Sequence, residues 1–404
     1  MSVTRETLRQ FELPEFAVTL RNAGVSGAGG AGFPTYAKWE HLESVDSLLV
    51  NHQESEPNYY IDKWLGRERA AEFGALFEGL LERAFGRIVI GAKLTDREGW
   101  MGPLERETDA TVYEPQELPV DGDETGVIVA YTEDRYEYGM ESVLLRMVAD
   151  VVMGGDDLPM DHGWIVQNTE TVHNVSHALT DGAPMTRKFV HVDGRVPEHR
   201  FLEVPVGTPA SELLAAAGRT DPLADDEVLL DGGPGWCFAV DDPAERFGVR
   251  KRTNCVLAMD ASVVEANRLG AGGRINVLRS AAWKHVAHET EPGASIEPDR
   301  VEVPLVTNPD FEGVVSPSEP IVRPDDAVEV GEMIARPADG ISVAQHAPID
   351  GTVVAVDDRT IAVERDAALE QRVYWTWCGE CGRYIPAPKT AADEPLEYVC
   401  DRCR

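Results

Sequence analysis

The sequence predicts an α/β protein of several domains, and three features of its 404 residues support this class. In residues 1–185, short apolar runs alternate with segments whose apolar residues recur at helical spacing. Residues 302–363 are rich in Val, Pro, Asp and Gly, which is typical of short strands joined by turns. Residues 372–404 contain two Cys-x-x-Cys pairs, a spacing typical of metal sites. The length corresponds to about two to four domains.

A glycine-rich stretch, residues 24–39, is the segment around which the first domain is organised. Its glycines leave backbone with few Cβ atoms, so that successive N–H groups can turn inward and hold an anion such as a phosphate. Pro34 favours the start of a helix, and Lys38 lies one turn into that helix. The glycines of this loop are Gly24, Gly27, Gly29, Gly30 and Gly32.

Two other interpretations of this loop remain. A flexible linker is disfavoured because Phe33-Pro34 and Lys38-Trp39 follow the glycines directly. The spacing Gly27-x-Gly29-x-x-Gly32 also fits a Rossmann dinucleotide fingerprint, but that fingerprint requires a buried strand before it. Residues 16–23 instead resemble the end of a helix.

The elements after the loop predict a sheet with covering helices. Residues 62–85 have the apolar period of a helix, and residues 140–150 and 170–179 also favour helices. The predicted strands are residues 47–50, 87–91, 125–131 and 163–166. Polar motifs follow several of these strands, and ligands of open α/β sheets collect at strand ends, so these motifs are expected to line one crevice.

Four motifs in order give the chain a resemblance to known flavoproteins. Residues 27–39 and the segment Asn51-His-Gln-Glu-Ser-Glu-Pro57 resemble the NADH-binding flavoprotein subunit of respiratory complex I. Residues 136–141 and 163–171 resemble the RnfC protein of the Rnf complex and its cobalamin-reductase relatives. The resemblance covers about the first 260 residues well and implies an FMN- and NADH-binding α/β domain at residues 1–185.

The resemblance also implies roles for single residues. The glycines and Lys38 are expected to hold the FMN phosphate, and Glu56 and Glu141 are the catalytic candidates nearest the nicotinamide, with Phe33 beside them. The cofactor-binding candidates are Gly27, Gly29, Gly30, Gly32, Phe33, Lys38, Asn51, Glu54, Gly139, Asn168 and Thr169. Gln53 stands where the relatives carry Asp or a small residue, which leaves the detail of the flavin contacts open.

Three further parts of the chain are expected after the first domain. Residues 186–262 resemble a β-grasp (SLBB-like) module, and residues 263–300 are predicted as a helical linker. Cys237 and Cys255 lack nearby ligand spacing and are expected to be buried small hydrophobic residues. Residues 301–366 resemble a barrel-sandwich (lipoyl-like) module, which is structural because no lysine between 285 and 388 can carry a prosthetic group.

The C-terminal segment, residues 372–404, is predicted to be a zinc ribbon. Its four thiols point to one tetrahedral ion, with zinc favoured and iron as the alternative. The four ligands are Cys378, Cys381, Cys400 and Cys403. No cysteine lies between Cys255 and Cys378, so the iron–sulfur motif that follows the β-grasp module in Rnf-type proteins is missing here.

Composition limits the functions that are possible. A formal net charge of −34 disfavours nucleic acid and anionic membranes as partners. It is typical of proteins from salt-loving archaea, although an acidic mesophilic protein remains the alternative. No apolar run reaches the length of about 20 residues that a membrane helix needs, and the first residues lack a signal peptide's apolar core, so a cytoplasmic protein is expected, with peripheral membrane association still possible.

The sequence leads to two hypotheses about function. The leading hypothesis is an FMN-dependent oxidoreductase, an NADH dehydrogenase that passes electrons to a protein partner. The competing hypothesis is a non-catalytic subunit or scaffold that keeps the flavin fold without its clusters.

The surface charge generates a prediction about salt. We expect the midpoint of thermal unfolding to rise as KCl is raised to molar concentration, because salt with a Debye length of about 3 Å at 1 M screens repulsion between carboxylates. Sucrose at matched osmolarity, which does not screen charge, is the control. A melting temperature that does not respond to KCl would contradict salt adaptation.

Overall fold

The computed structural model describes residues 7–270, 273–280, 283, 288–308 and 313–366, together with the backbone of residues 373–377 and 384–388. Within this part of the chain, no helix has both the length and the apolar character to cross a membrane.

The first domain contains a five-stranded parallel sheet in the order β3-β4-β2-β1-β5. The strands are β1 (Ser47–His52), β2 (Arg87–Lys93), β3 (Thr111–Tyr113), β4 (Gly126–Thr132) and β5 (Trp164–Asn168). Four of them were expected from their apolar runs. The prediction missed β3, because this three-residue edge strand is partly exposed and lies in a polar stretch.

Helices cover both faces of this sheet. They are α1 (Leu13–Asn22), α2 (Thr35–Trp39), α3 (Ile61–Glu68), α4 (Ala70–Arg83), α5 (Gly102–Glu107), α6 (Glu141–Ala149) and α7 (Thr169–Thr180). Shorter helical turns are Leu94–Asp96, Arg97–Met101, Pro115–Glu117, Tyr136–Gly139 and Pro159–His162. The helix predicted over residues 62–85 is in fact two helices, because Arg69 leaves the helical conformation at φ −110° and ψ 18°.

Alternate strand residues build the two cores of this domain. Leu48 and Val50 of β1 join a cluster that includes Leu65, Phe73 and Val175 from α3, α4 and α7. Leu49 points the other way, into a cluster that includes Leu144 and Leu145 of α6. The period of two along β1 thus places helices on both sides of a sheet whose strands are buried on both faces.

The second part of the chain forms a seven-stranded mixed sheet in the order β11-β12-β9-β8-β10-β6-β7. Its elements are β6 (Arg187–Gly194), β7 (Arg200–Pro205), α8 (Ala210–Ala216), β8 (Glu227–Gly233), β9 (Trp236–Ala239), β10 (Cys255–Asp260), α9 (Ala261–Ala266), β11 (Arg268–Leu269) and β12 (Arg274–Ile275). The central strands β6 and β10 are parallel, and α8 buries Leu213 and Leu214 against the sheet. The β-grasp name for this module stays a prediction.

The prediction of a helical linker at residues 263–300 is wrong for the part of this segment that the structure describes. Among the residues that the structure describes here, α9 is the one α-helix, Trp283 has a 3-10 conformation, and β11 and β12 form a hairpin on the edge of the second sheet. The alanines and valines favoured a helix, but α9 ends at Ala266, and Gly270 and Gly273, with φ of +63° and +69°, lie between β11 and β12 in a conformation that a right-handed helix does not contain.

The third part is a barrel-sandwich of two small sheets, β13-β19-β18-β15 and β14-β16-β17. Its strands are β13 (Arg300–Pro304), β14 (Glu319–Pro320), β15 (Ala327–Val328), β16 (Met333–Arg336), β17 (Gln345–His346), β18 (Gly351–Val356) and β19 (Thr360–Arg365). Both sheets bury aliphatic side chains in one core, among them Val303, Ile334 and Ile361. Beyond it, β20 (Val373–Trp377) pairs with β21 (Tyr384–Pro388) in an antiparallel hairpin.

A buried ion pair joins the first two domains. The Lys188 ammonium on β6 lies 2.5 Å from the Glu170 carboxylate on α7, and the two side chains are 0% and 2% exposed. Glu170 also accepts from the Phe189 N–H at 3.0 Å, and Lys188 donates to the Phe189 carbonyl at 2.6 Å. Such a pair tolerates loss of both charges better than loss of one.

We therefore expect Lys188→Met to lower the free energy of unfolding by about 3–5 kcal/mol, because it leaves the buried Glu170 without its partner. The double variant Lys188→Met with Glu170→Gln should recover much of this loss. Arg336→Met, which breaks the exposed Arg336–Glu319 pair, is the control and should cost about 1 kcal/mol or less. If Lys188→Met and Arg336→Met lowered the free energy of unfolding in urea by the same amount, the buried pair would not stabilise the contact between the two domains.

Candidate functional site

The candidate site lies where β1 and β5 end side by side. The strand order continues from β1 to β2 on one side, whereas β5 returns to the other side, so the chain reverses direction across the sheet at this point. Asn51 and Asn168, both predicted to contact the flavin, are register partners here. Such a switch point leaves a crevice outside the carboxyl ends of the strands.

The glycine loop is closed at its base and open at its tip. The Gly27 N–H donates to the Phe33 carbonyl and the Gly32 N–H to the Gly27 carbonyl, both at 2.9 Å. The Ala28 N–H donates to the Thr171 hydroxyl of α7 at 2.9 Å. Among the described residues, no acceptor takes the N–H groups of Gly29, Gly30 or Ala31. Three consecutive donors thus remain available at the tip of the loop.

A side chain would collide with neighbouring atoms at Gly29 and Gly32 but not at Gly30. A Cβ on Gly29 would lie 2.7 Å from the Asn168 Cβ, and one on Gly32 would lie 2.8 Å from the Asn308 Cβ. A Cβ on Gly30, which has φ +103°, would meet only the Asn254 amide at 3.9 Å. The loop is therefore held between β5 and the third domain while its tip stays open. This cradle of free N–H groups fits a phosphate.

Lys38 is already paired in this site. Its ammonium lies 2.8 Å from a Glu141 oxygen and donates to the Val166 carbonyl of β5 at 3.0 Å. Lys38 and Glu141 are therefore brought together, as the crevice hypothesis expects. However, the five-residue α2 is too short to act as a helix N-terminus for an anion.

Two further candidates are joined by hydrogen bonds to the end of β1. The Asn51 amide donates to the Gly139 carbonyl at 2.8 Å, which places Gly139 against this strand end. The Thr169 hydroxyl lies 2.8 Å from His52 Nδ1 and is buried. Burial lowers the pKa of His52 to about 3, so this ring is neutral and Thr169 has a fixed partner.

Asn168 connects the site to Asp62, which was not among the residues predicted from sequence. The Asn168 oxygen accepts from the Glu170 N–H at 3.0 Å and so caps α7, while its amide donates to both Asp62 oxygens, at 3.0 and 2.9 Å. Asp62 is 5% exposed, and burial raises its pKa well above the usual range. In the sequence, the one feature that pointed to Asp62 was its position as an acidic residue in the first turn of a helix.

Glu54 is a buried acid beside this pair. Its carboxylate accepts from the Asp62 N–H at 2.7 Å, and its backbone has a φ of 35°, in the left-handed region that non-glycine residues seldom adopt. Burial raises the pKa of Glu54 to about 7. Strained, buried acids of this kind cluster at functional sites.

The contacts of Glu56 differ from its predicted role as a catalytic residue near the nicotinamide. One of its oxygens accepts from the Tyr136 hydroxyl and the other from the Gly235 N–H of the second domain, both at 2.8 Å. It is 7% exposed, and burial raises its pKa. The structure thus uses Glu56 as a contact between domains and does not leave it free to meet a ligand. Phe33, at the base of the loop, is half-buried.

The third domain holds the loop from outside, which the sequence did not indicate. The Thr307 hydroxyl donates to the Gly32 carbonyl at 2.5 Å, and the Asn308 amide donates to the Ala31 carbonyl at 2.6 Å. Lys251 of the second domain donates to the Gly24 and Ala344 carbonyls, at 2.7 and 3.1 Å. All three domains therefore meet at this loop.

A cavity and two cysteines lie in other parts of the described structure. A cavity of about 500 Å³ lies between the second and third domains and is lined by Arg246, Arg250 and Arg359 among others; no candidate site residue lines it. Cys237 and Cys255 are buried as expected, and burial raises the pKa of both thiols. Cys378, Cys381, Cys400 and Cys403 lie outside the described residues, so the zinc prediction stays untested.

Comparison with known protein families gives two matches. Residues 20–177 match the family described as the Nuo51 FMN-binding domain, and residues 282–371 match the RnfC barrel sandwich hybrid domain. The first match contains the glycine loop and the ends of β1 and β5. The second contains the sandwich sheets.

Three individual proteins are similar to parts of this chain. The RnfC-type protein of the ion-translocating oxidoreductase complex of Pseudomonas aeruginosa is 31% identical over 246 residues, which is 60% of this chain and 30% of that protein. The cobalamin reductase PduS of Salmonella typhimurium is 31% identical over 251 residues, 61% of this chain and 50% of that protein. The chain thus spans about a third to a half of these relatives. A solved NAD+-reducing nickel–iron hydrogenase is 18% identical with a TM-score of 0.48, covering 64% of this chain and 49% of its own.

The buried Glu54 generates a pH prediction. Because its folded pKa is raised, the native state binds more protons than the unfolded chain between the ordinary Glu pKa and about 7, so its ionisation removes stability as the pH rises through this window. Glu54→Gln, which keeps the neutral shape, should match the wild type near pH 5 and exceed its melting temperature near pH 8. Glu133→Gln at an exposed position is the control. A difference that does not change with pH would show that Glu54 is already ionised in the native state.

Proposed function

We propose that this chain, which belongs to the RnfC-like and Nuo51 flavoprotein family, is an FMN-dependent oxidoreductase that accepts hydride from NADH. The observation that carries the proposal is the row of three N–H groups at Gly29, Gly30 and Ala31, which have no acceptor within the described part of the chain and lie beside the switch point of the sheet. A phosphate is the ligand that such a cradle binds best.

The proposal gives each part of the site a task. The loop tip binds the FMN phosphate, and Asn51, Asn168 and Thr169 at the strand ends position the flavin ring. When bound, FMN supplies the ring that exchanges hydride with NADH. Because the hydride passes between two cofactors, the protein mainly has to orient them and exclude water.

The charges around the crevice are fixed before any ligand arrives. Lys38 is held by Glu141 and the Val166 carbonyl, so neither long side chain has to be ordered when a cofactor binds. Burial raises the pKa of Glu54 to about 7, so part of the population is uncharged near neutral pH, which lowers the negative charge that a phosphate or flavin would meet. Glu56 approaches a nicotinamide only after giving up Tyr136 or Gly235.

Electrons must leave the flavin by another route than in the Rnf-type proteins. Between Cys255 and Cys378 the sequence has no cysteine that can hold an iron–sulfur cluster. We propose that a separate electron-accepting protein takes this role, as expected of a subunit of an electron-transfer complex. In the C-terminal segment, the four thiols are proposed to hold structural zinc, with iron as the alternative.

We assign the chain to five segments on the same basis. Residues 1–185 form the FMN- and NADH-binding domain, 186–262 a β-grasp module, 301–366 the barrel-sandwich and 372–404 a zinc ribbon. Residues 263–300, first expected to be helical, are here assigned to the edge hairpin of the second sheet and the connection that follows it.

The second candidate function is a subunit that binds FMN without catalysis. Two observations favour it: Glu56 is locked between domains, and the cluster motif is absent. The two functions differ in one measurement, since only the oxidoreductase reduces its bound flavin with NADH.

The loop tip provides the test of FMN binding. Ala31→Asp places a negative charge beside the three free N–H groups, and we expect it to weaken FMN binding by about tenfold or more through repulsion of the phosphate. Ala31→Asn has the same shape without the charge and is the matched control. Binding is measured from the quenching of FMN fluorescence on titration with protein.

Two outcomes oppose the proposal in different ways. If Ala31→Asp and Ala31→Asn bound FMN with equal affinity, the FMN phosphate would not bind at the loop tip. A wild-type protein that binds FMN but shows no bleaching of the flavin by NADH without oxygen would leave the site in place and favour the non-catalytic subunit.

A further inference from the structure

Two histidines and a glutamate form a cluster on the helical face of the first domain, away from the loop tip. His173 and His177 lie four residues apart on α7, and Glu72 faces them from α4. The Glu72 oxygen Oε1 lies 3.0 Å from His173 Nδ1 and 3.4 Å from His177 Nε2. One ligand atom from each of the three residues lies within 4.8 Å of the other two.

The sequence places these groups together for a simple reason. Residues i and i+4 of a helix share one face, so both imidazoles of α7 project toward the same neighbour. The rings meet edge to face with their centroids 4.5 Å apart. Glu72 lies in the first turn of α4, where that helix packs beside α7.

A fourth residue fixes the orientation of His177. Its Nδ1 lies 3.0 Å from an oxygen of Asp181, and the other Asp181 oxygen accepts from the Thr180 hydroxyl at 2.7 Å. Asp181 therefore accepts a hydrogen bond from Nδ1, and Nε2 faces the Glu72 carboxylate. Two acceptors at 3.4 Å need a proton or a cation between them. Histidines that bind a metal through one ring nitrogen usually donate a hydrogen bond from the other nitrogen to a group such as a carboxylate.

We propose that Glu72, His173 and His177 bind a divalent transition metal, with Zn²⁺ as the expected ion. Donor atoms about 2.0 to 2.1 Å from one tetrahedral zinc lie about 3.3 to 3.5 Å apart, which matches the 3.4 Å separation and is a few tenths of an ångström longer than the 3.0 Å one. Two imidazoles and a carboxylate are ligands that zinc accepts, and the fourth position is left for water.

Charge and access support this assignment. Glu72 and Asp181 bring two negative charges, and Arg69 is the nearby positive group that acts on both Glu72 and His177. The side chains of His173, Glu72 and His177 are 13%, 28% and 41% exposed, so an ion can enter from solvent without unfolding of the helices. The ion would largely neutralise the charge that the two carboxylates place at this helix pair.

The position of the site suggests what the metal does. It would join α4 to α7, the helix that Asn168 caps and that carries the buried Glu170–Lys188 pair. His173 also contacts the Phe189 ring of the second domain, with centroids 6.2 Å apart. The metal thus acts as a clamp on the helix that supports the strand ends and needs no contact with a flavin.

The test uses the full chain after removal of metals with EDTA, titrated with Zn²⁺ and, separately, with Co²⁺. Since the tail thiols are expected to bind one ion, the readouts must distinguish the two sites. Thiolate-bound Co²⁺ gives intense near-ultraviolet charge-transfer bands, whereas nitrogen and oxygen ligands give only weak visible bands. We expect His177→Ala to lose one equivalent of metal and the weak visible bands while the thiolate bands remain.

Two further variants make the result specific. Asp181→Asn keeps all three ligands and should weaken binding at this site by about 10- to 100-fold through loss of the outer partner. His162→Ala, which removes a histidine paired with Asp157 on another surface, should change neither the metal count nor the bands.

Stability gives an independent measurement. Zn²⁺ should raise the melting temperature of the wild type more than that of His177→Ala, even when the tail thiols are replaced by serine in both. Equal metal content and equal zinc response of wild type and His177→Ala would overturn the proposal and leave the cluster as a hydrogen-bonded one. FMN binding by metal-free protein tests the flavin site separately, so failure of one proposal does not decide the other.

Discussion

The hydrogen bonds of Asn168 are the interaction on which the site depends. One side chain ends β5, caps α7 and holds both oxygens of Asp62, and its Cβ stands directly beside Gly29. If Asn168 moved, α7 would lose its N-terminal cap, Asp62 in the first turn of α3 would lose two hydrogen bonds, and Gly29 would lose the side chain packed against it. Asn168 thus links a strand, the glycine loop and two helices of this domain.

Buried charged side chains connect the first domain to the second and third domains. Glu170 and Lys188 join α7 to the second sheet without solvent, and Glu56 joins the turn after β1 to Gly235. Burial lowers the pKa of Lys251 to about 7, and this amine holds carbonyls of the first and third domains together. Each contact places a polar group where water cannot replace its partner, so a different arrangement of the domains would leave buried polar groups unpaired.

The sequence predicted the elements better than the contacts between them. Apolar runs bounded by turns identified β1, β2, β4 and β5, because local pattern and tertiary burial agree in a parallel sheet. The same reasoning failed for residues 263–300, where alanine content suggested a helix and glycines at positive φ produced a hairpin. Asp62, Thr307 and Asn308 were not foreseen, since they reach the site through contacts with Asn168, Gly32 and Ala31 that are 106 to 277 residues apart in sequence. Such separations leave no local pattern.

The grip of Thr307 and Asn308 on the glycine loop has a consequence for how the protein is made. The side chains that hold the carbonyls of the loop are synthesised 275 and 277 residues after it. A nascent chain therefore has its sheet long before its loop is fixed, and the ligand cradle matures only when the third domain docks. The order of synthesis thus leaves the cradle unfinished until the third domain has been made.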